Sequence, residues 1–132
     1  FDLLIPHAES RWILPADWVL CLEVAEHISV RFEATVLDHI FLRAKEGVVM
    51  SWAHPDQGGF QHINLRSSNY VISTVQKRYP FLLDLRMTMD ARTMAILPWF
   101  RENILVFRRV GGSAVDADVQ RAIDGPRDVH QE

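Results

Sequence analysis

The stretch Asp17-Trp18-Val19-Leu20-Cys21-Leu22-Glu23-Val24-Ala25-Glu26-His27-Ile28 decides the predicted fold. It begins with an unbroken apolar run, Trp18 to Leu22, which is typical of a strand covered on both faces, as in a parallel sheet. The pattern then changes to Glu-x-x-Glu-His without an intervening Gly or Pro. A helical turn beginning at Glu23 would place Glu26 and His27 on one face with it. These side chains would then meet at the carboxyl end of a core strand, where open α/β sheets bind their ligands.

The composition indicates one globular domain and no preference for a highly charged partner. The chain has 132 residues, is 48% hydrophobic and carries a formal net charge of −3, so no nucleic-acid partner is indicated. The lone Cys21 excludes an intrachain disulfide and a CxxC metal site, and it favours a reducing compartment, so we expect a cytoplasmic protein. No apolar stretch approaches the roughly 20 residues of a membrane span, and no signal-peptide pattern opens the chain. No membrane partner is expected, and the sequence leaves the oligomeric state open.

Around the opening stretch, strands and helices alternate, which predicts an α/β sandwich with a mainly parallel sheet. The strands are predicted at 1–5, 17–23, 47–53, 81–85 and 104–110, and the helices at 31–44, 67–78 and 87–97. Gly47 is predicted to cap the first helix, and Ser67 or Ser68 to begin the second. Residues 1–110 form the predicted domain, and 111–132 a polar, loosely structured tail. Because the chain opens on Phe1 within a strand-like run, we expect that residue 1 is not the natural start.

A polar loop at 54–66 follows the third predicted strand. Its Gly58-Gly59 pair would let the backbone approach a ligand closely. His62 and Asn64 alternate along the loop, so both would face one side. With Gln57, they would either bind substrate or hold the loop in place through side chain to backbone hydrogen bonds.

Glu26 and His27 are the strongest candidates for acid–base chemistry. A carboxylate and an imidazole at the end of a core strand would remove a proton from an acceptor, or orient it, because histidine titrates near neutral pH. The alternative is structural: Glu23 and Glu26 would favour the positive end of a helical turn, and His27 would pack or form a hydrogen bond.

The opening stretch resembles the fourth-strand motif of class I S-adenosylmethionine-dependent methyltransferases, in which many members carry a D-x-V-x-x-x-E-V-x-E-H pattern. Further segments similar to methyltransferase-like proteins follow in the same order: Ser51-Trp52-Ala53, Gln57-Gly58-Gly59, His62-x-Asn64 and Trp99-Phe100-x-x-Asn103-Ile104-Leu105-Val106-Phe107. The resemblance covers roughly residues 1 to 110. It implies a three-layer Rossmann-like methyltransferase sandwich that transfers a methyl group from S-adenosylmethionine to a small-molecule acceptor.

The resemblance also implies site residues. It places Asp2 and Leu3 beside the adenine of the cofactor, and Leu22 and Glu23 beside its methionine part. Small-RNA 2′-O-methyltransferases and some ubiquinone-pathway O-methyltransferases use a similar Glu-x-x-Glu-His, with a more distant ligand, to hold a divalent cation. By this resemblance, Glu23, Glu26, His27 and His62 would bind Mg²⁺, Mn²⁺ or Zn²⁺, and Glu26, His27 and His62 would be catalytic. The same spacing also occurs in methyltransferases that hold no metal.

The chain departs from the family in one respect. It has neither the Gly-rich turn after a first strand nor the acidic residue at the end of a second strand that bind the cofactor in the family. Mapped onto the family, it matches strands three to seven, apparently lacking the first strands. We therefore expect the carboxyl-terminal part of a methyltransferase, inactive on its own. The alternative is a non-catalytic α/β module, or a truncated relic, that completes its sheet with another chain.

Overall fold

The computed structural model describes residues 3–7 and 14–111, which form a four-stranded sheet with helices. The elements in chain order are β1 (Ala16–Cys21), α1 (Glu33–Phe41), β2 (Ala44–Ser51), α2 (Ser68–Arg78), β3 (Phe81–Leu83), α3 (Leu85–Met94), α4 (Phe100–Asn103) and β4 (Ile104–Arg109). Two short 3₁₀ helices, Ala25–His27 and Val30–Phe32, connect β1 to α1. The predicted α/β class is confirmed.

The strands lie in the order β1-β2-β4-β3. Only β1 and β2 run parallel; β4 is antiparallel to both β2 and β3. The prediction of a mainly parallel sheet is therefore wrong for the described residues. The chain enters β4 through α4 and runs antiparallel to β2. The amino end of β4 therefore lies at the same end of the sheet as the carboxyl ends of β1 and β2.

The core lies between α1, α2 and one face of the sheet. Phe41, at the end of α1, is fully buried and holds this layer together. Its ring stacks on Tyr79 at a centroid distance of 5.0 Å and meets the edges of Phe81 at 5.2 Å and Phe107 at 5.5 Å. Such aromatic pairs contribute beyond their area burial, so α1 is anchored directly to the two antiparallel strands.

β1 is the outermost described strand on its side of the sheet. The prediction that both of its faces are covered is wrong, since the side chain of Leu20 is 69% exposed. An unbroken apolar run predicts the strand correctly, but it does not show which of its faces the described residues cover.

Helix boundaries follow local capping. The Ser67 hydroxyl accepts a hydrogen bond from the Tyr70 amide at 3.2 Å, which confirms the predicted start of α2. Asp84 does the same for α3, accepting from the Met87 amide at 2.9 Å. That cap starts α3 at Leu85, two residues before the predicted start, and α3 ends at Met94 rather than at residue 97.

Two other local predictions are wrong. Gly47 does not cap α1 but lies within β2, where the Trp18 ring covers it; a Cβ at Gly47 would come within 2.3 Å of that ring. The glycine is needed for close packing rather than for a helix end. Leu3 and Leu4 form a turn and Ile5 a bend instead of a strand, while Phe1 and Asp2 lie outside the described residues. The predicted tail also lies outside them, apart from Gly111.

Candidate active site

Glu23 sits where β1 leaves the sheet. Its backbone is left-handed, with φ of 56°, so it does not begin the helical turn that the sequence predicts; the turn is the 3₁₀ helix Ala25–His27. The Ser51 hydroxyl, at the end of β2, forms hydrogen bonds with both the backbone and the side chain of Glu23. The Glu23 amide donates to the Ser51 hydroxyl at 2.9 Å, and that hydroxyl donates to the Glu23 carboxylate at 3.2 Å. Glu23 is thus tied to the neighbouring parallel strand.

Glu26 is fully buried, at 0% exposure. Neither of its carboxylate oxygens has a hydrogen-bond partner among the described residues. Burial raises the pKa of Glu26, and the nearby Glu23 carboxylate adds to the effect, while the backbone amide of Glu26 itself, His27 and His62 oppose it. Native proteins rarely leave a buried carboxylate without partners, because such a group loses its hydration without replacement.

Two imidazoles face this carboxylate. One ligand atom from each of Glu26, His27 and His62 can be chosen so that all three lie within 4.8 Å of one another. The two rings meet edge to face, with centroids 5.0 Å apart. The Nδ1 atom of His27 lies 3.1 Å from the Gln61 carbonyl oxygen and must donate to it, which leaves Nε2 with a free lone pair in the neutral ring. The Nδ1 atom of His62 is buried and, like Glu26, has no hydrogen-bond partner in the described part of the chain.

The loop that carries His62 is held against the 3₁₀ helix by main-chain hydrogen bonds. The amides of Ile63 and Asn64 both donate to the Glu26 carbonyl, at 2.9 and 3.0 Å. Gly59 lies against the imidazole: a Cβ there would fall 2.1 Å from His62 Cε1. Two features therefore hold His62 beside Glu26: the Glu26 carbonyl anchors the loop, and Gly59 leaves room for the imidazole.

The structure brings together three of the four residues named as metal ligands from the resemblance. Glu26, His27 and His62 converge, whereas Glu23 is not part of this group and is bonded to Ser51. One carboxylate and two imidazoles can hold a dication, and the same groups can accept a proton from a substrate.

The Asn64 side chain contacts Glu33. Its side chain is buried, at 3% exposure, and its amide nitrogen donates to Glu33 at 2.9 Å. Its carbonyl accepts from the Trp52 indole at 2.7 Å. These bonds hold the loop at Asn64, but its own side chain bonds the Glu33 side chain and not the backbone, and the side chain to backbone bond comes from Trp52. Gln57 is half-buried, and its side-chain oxygen accepts from Asn103 at 3.1 Å.

Glu33 holds the end of the loop that carries His62, and the sequence does not reveal this role. Besides Asn64, its carboxylate accepts from the Arg66 guanidinium at 2.9 Å and from the Tyr70 hydroxyl at 2.5 Å. Burial alone would raise the pKa of Glu33, but these hydrogen bonds outweigh it and lower the pKa. In the sequence Glu33 is only an acid at a helix start, and its partners lie 31 to 37 residues away.

The residues named for cofactor binding are spread over different places. Asp2 lies outside the described residues, while Leu3 and Leu22 line an apolar cavity of about 450 Å³ beside β1. Cys21 lines the same cavity, and burial raises the pKa of its thiol to about 11, which makes the thiol a poor nucleophile near neutral pH.

None of the helices in residues 3–7 and 14–111 has the length and apolar character needed to cross a bilayer.

No model of a known protein family matches the chain, and no curated protein sequence matches it. Its structure is similar to a crystal structure of magnesium protoporphyrin IX methyltransferase (ChlM) from Synechocystis PCC 6803 with bound SAH. The TM-score is 0.56 at 16% sequence identity, and the match covers 83% of this chain and 49% of that chain. The chain thus spans about half the length of that methyltransferase. At this identity the likeness shows the fold, which is the Rossmann-like methyltransferase fold.

Proposed function

We propose that this chain is the carboxyl-terminal part of an S-adenosylmethionine-dependent methyltransferase, in which Glu26, His27 and His62 form the centre that receives the methyl acceptor. The fold supports the class of enzyme, since the similar structure is a methyltransferase with bound SAH. The position of the three residues supports the site, because Glu26 and His27 follow the carboxyl end of β1 and His62 follows the carboxyl end of the parallel strand β2.

The observation that carries the proposal is the buried carboxylate of Glu26. It is fully buried, has no hydrogen-bond partner among the described residues and faces two imidazoles. A carboxylate whose pKa is raised by burial is a stronger base than an exposed one, and an adjacent imidazole can pass its proton on. We infer that Glu26 and the neighbouring His62 take the proton that a hydroxyl or amine acceptor loses as it is methylated.

The cofactor would be S-adenosylmethionine, whose sulfonium supplies the methyl group. Glu23 is placed to meet the methionine part, since it ends β1 in a backbone conformation fixed by Ser51. The sequence contains no Gly-rich turn after a first strand, and the chain spans about half of the similar methyltransferase. We therefore propose that the other wall of the cofactor cleft belongs to further residues, and that residues 1–132 alone do not transfer methyl groups.

As an alternative state of the same centre, we propose that it holds a divalent cation, in which case Glu26 and His62 bind the metal and do not themselves take the proton of the acceptor. The residues fit one: the Glu26 carboxylate, the Nε2 atom of His27 and the Nδ1 atom of His62 are the ligand atoms left without other partners in the described residues. The Gln61 carbonyl accepts from Nδ1 and so fixes the His27 ring, as carbonyls and carboxylates that bond the other ring nitrogen of a ligating histidine do at metal sites. When bound, the cation would lower the pKa of an acceptor hydroxyl. Elemental analysis of wild type and Glu26→Ala tests this, because equal metal content would remove Glu26 as a ligand.

Methyl transfer itself is tested with the complete protein and S-adenosylmethionine labelled in its methyl group, offered with a panel of small hydroxyl, amine and thiol acceptors. We expect label to move to at least one acceptor, and the Glu26→Gln and His62→Ala variants to lose most of that transfer while still binding the methyl donor. Full activity in both variants would show that the centre lies elsewhere in the fold.

The second candidate function is a non-catalytic module. One observation favours it: the outer edge of β1 pairs with no other described strand, and Leu20 is 69% exposed there. Unpaired edges accept strands from other chains. The coding sequence upstream of Phe1 discriminates between the candidates. A strand followed by a Gly-x-Gly turn supports the enzyme, whereas a reading frame without such a turn supports the module. In either case we place the protein in the cytoplasm, as the lone Cys21 suggests.

A further inference from the structure

A second cavity, of about 250 Å³, lies between the loop that follows β2 and the segment that leads into β4. It is lined by Asp56, Gln57, Pro98, Trp99 and Glu102. The Trp99 ring is partly accessible, at 38% exposure, and both carboxylates are exposed. The lining therefore combines an indole with two acids and contains no basic side chain.

Neither of the two acids forms an ion pair with a described residue. Among the described residues, ion pairs within 4.0 Å involve other carboxylates, and neither Asp56 nor Glu102 takes part in one. Arg92 is near enough to Glu102 for their charges to interact, but its Nε atom donates to the Ile104 carbonyl at 2.8 Å. The lining thus carries two carboxylates without an ion-pair partner in the described residues, and such carboxylates attract cations.

The walls of the cavity are fixed before any ligand binds. Gln57 is held by Asn103, whose side chain is 1% exposed, donates to Gln57 at 3.1 Å and has an Oδ1 atom with no hydrogen-bond partner among the described residues. The Trp99 ring meets the edge of Phe100 at 6.0 Å. The Trp99 carbonyl accepts from the amides of Glu102 and Asn103, at 3.1 and 3.0 Å. A preformed site avoids the entropic cost of ordering its walls.

We propose that this cavity binds an organic cation, with the positive head group against the Trp99 indole and beside Asp56 and Glu102. An indole face attracts cations through its quadrupole, and the two carboxylates add charge attraction. The volume lies below the roughly 300 Å³ at which pockets for drug-sized ligands begin, so the cavity takes an alkylammonium head group rather than a whole large ligand. The cavity residues follow Ser51 and precede Ile104, which pair at one end of the sheet. The cavity therefore lies at the same end of the sheet as Glu23, which bonds Ser51. The inference does not depend on methyl transfer.

Choline and its neutral isostere 3,3-dimethylbutanol provide the test, with binding followed by the NMR resonance of the Trp99 indole. We expect choline to shift this resonance saturably and the neutral alcohol to bind about tenfold more weakly, because it lacks the charge. Glu102→Gln, followed by the same resonance, and Trp99→Leu, followed by titration calorimetry because it lacks that indole, should each weaken choline binding by about three- to thirtyfold. Asp90→Asn, which removes an exposed carboxylate on α3 outside the cavity lining, is the matched control and should change nothing.

Equal binding of choline and the neutral alcohol would overturn the proposal, since the cavity would then recognise only an apolar shape. So would unchanged choline binding in Glu102→Gln, or the absence of any shift of the Trp99 resonance. Glu102 is exposed, so that variant decides the matter even if Trp99→Leu fails to fold. No methyl donor is present in these experiments, so their failure is separate from a failure of the proposed methyl transfer.

Discussion

Gly59→Ala moves one imidazole of the candidate centre without touching the other groups. A Cβ at position 59 would lie 2.1 Å from Cε1, 2.4 Å from Nδ1 and 2.5 Å from Nε2 of His62. Ordinary contact begins near 3.4 Å, so the ring must move by about 1.3 Å to make room. Gly59 does not have a positive φ, so alanine adds no backbone strain. Gly58→Ala is the matched control, because a Cβ there meets nothing within 4 Å.

The expected result is a loss of metal affinity without a loss of folding. Ligand distances at metal sites are held to within about 0.2 Å, and the required shift of the ring is several times larger. Disturbing even the support of a metal ligand costs about 10- to 100-fold in affinity, so we expect a loss of about 100-fold for Gly59→Ala. His62 is only half-buried and can rotate away, so the free energy of unfolding should fall by less than about 1 kcal/mol.

The assay is competition for Mn²⁺ or Zn²⁺ against a chromophoric chelator, with chemical denaturation of the same samples. Gly58→Ala should match wild type in both measurements. If Gly59→Ala bound metal as tightly as Gly58→Ala, His62 would not be a ligand. If the two variants were equally weakened, the affinity would depend on loop flexibility rather than on the position of the ring.

Three further outcomes follow from the packing and the charges. Gly47→Ala places a Cβ 2.3 Å from the Trp18 ring and should lower the free energy of unfolding by about 1–3 kcal/mol in urea denaturation; an unchanged midpoint would mean that the ring is free to move. Glu26→Gln should stabilise the metal-free protein at neutral pH. Burial raises the pKa of Glu26 above 4.5, so the folded protein favours the protonated side chain. The contribution of Glu26 to stability is full below pH 4.5 and is lost as the pH rises through the raised pKa. A wild-type thermal midpoint that does not decline relative to Glu26→Gln between pH 5 and pH 8 would contradict this. Glu33→Gln should cost about 2 kcal/mol by removing charge-assisted hydrogen bonds. Because the pKa of Glu33 is lowered from 4.5, that stabilisation is present above this pH and is lost on acidification, and a cost that persists at pH 2 would argue for a steric cause.

Much of the fold could be predicted from local sequence signals. The apolar runs in β1 and β4 and the Ser67 cap of α2 each encode their element with neighbouring residues, and these predictions are confirmed. A glycine that follows a helical pattern predicts a cap, whereas the constraint on Gly47 comes from a tryptophan 29 residues earlier in the sequence. Sheet direction also depends on long-range pairing, so alternating strands and helices could not reveal that β4 runs antiparallel.

The candidate site was predictable in part. The Glu-x-x-Glu-His spacing indicates that Glu26 and His27 lie together, and the loop after the next strand suggests His62 as their neighbour; the structure brings these three together. A helical turn beginning at Glu23 would add this residue to the group. Its left-handed backbone, which places it on Ser51 instead, is a single-residue conformation that no sequence period encodes.

Titration calorimetry of the complete protein with S-adenosylmethionine tests the central proposal most directly, because every assignment at Glu23, Glu26 and His62 presumes a cofactor in the adjoining cleft. We expect saturable heat of binding, and competition by S-adenosylhomocysteine at the same site. A flat trace from a folded, complete protein would contradict the assignment as a methyltransferase and favour the non-catalytic module.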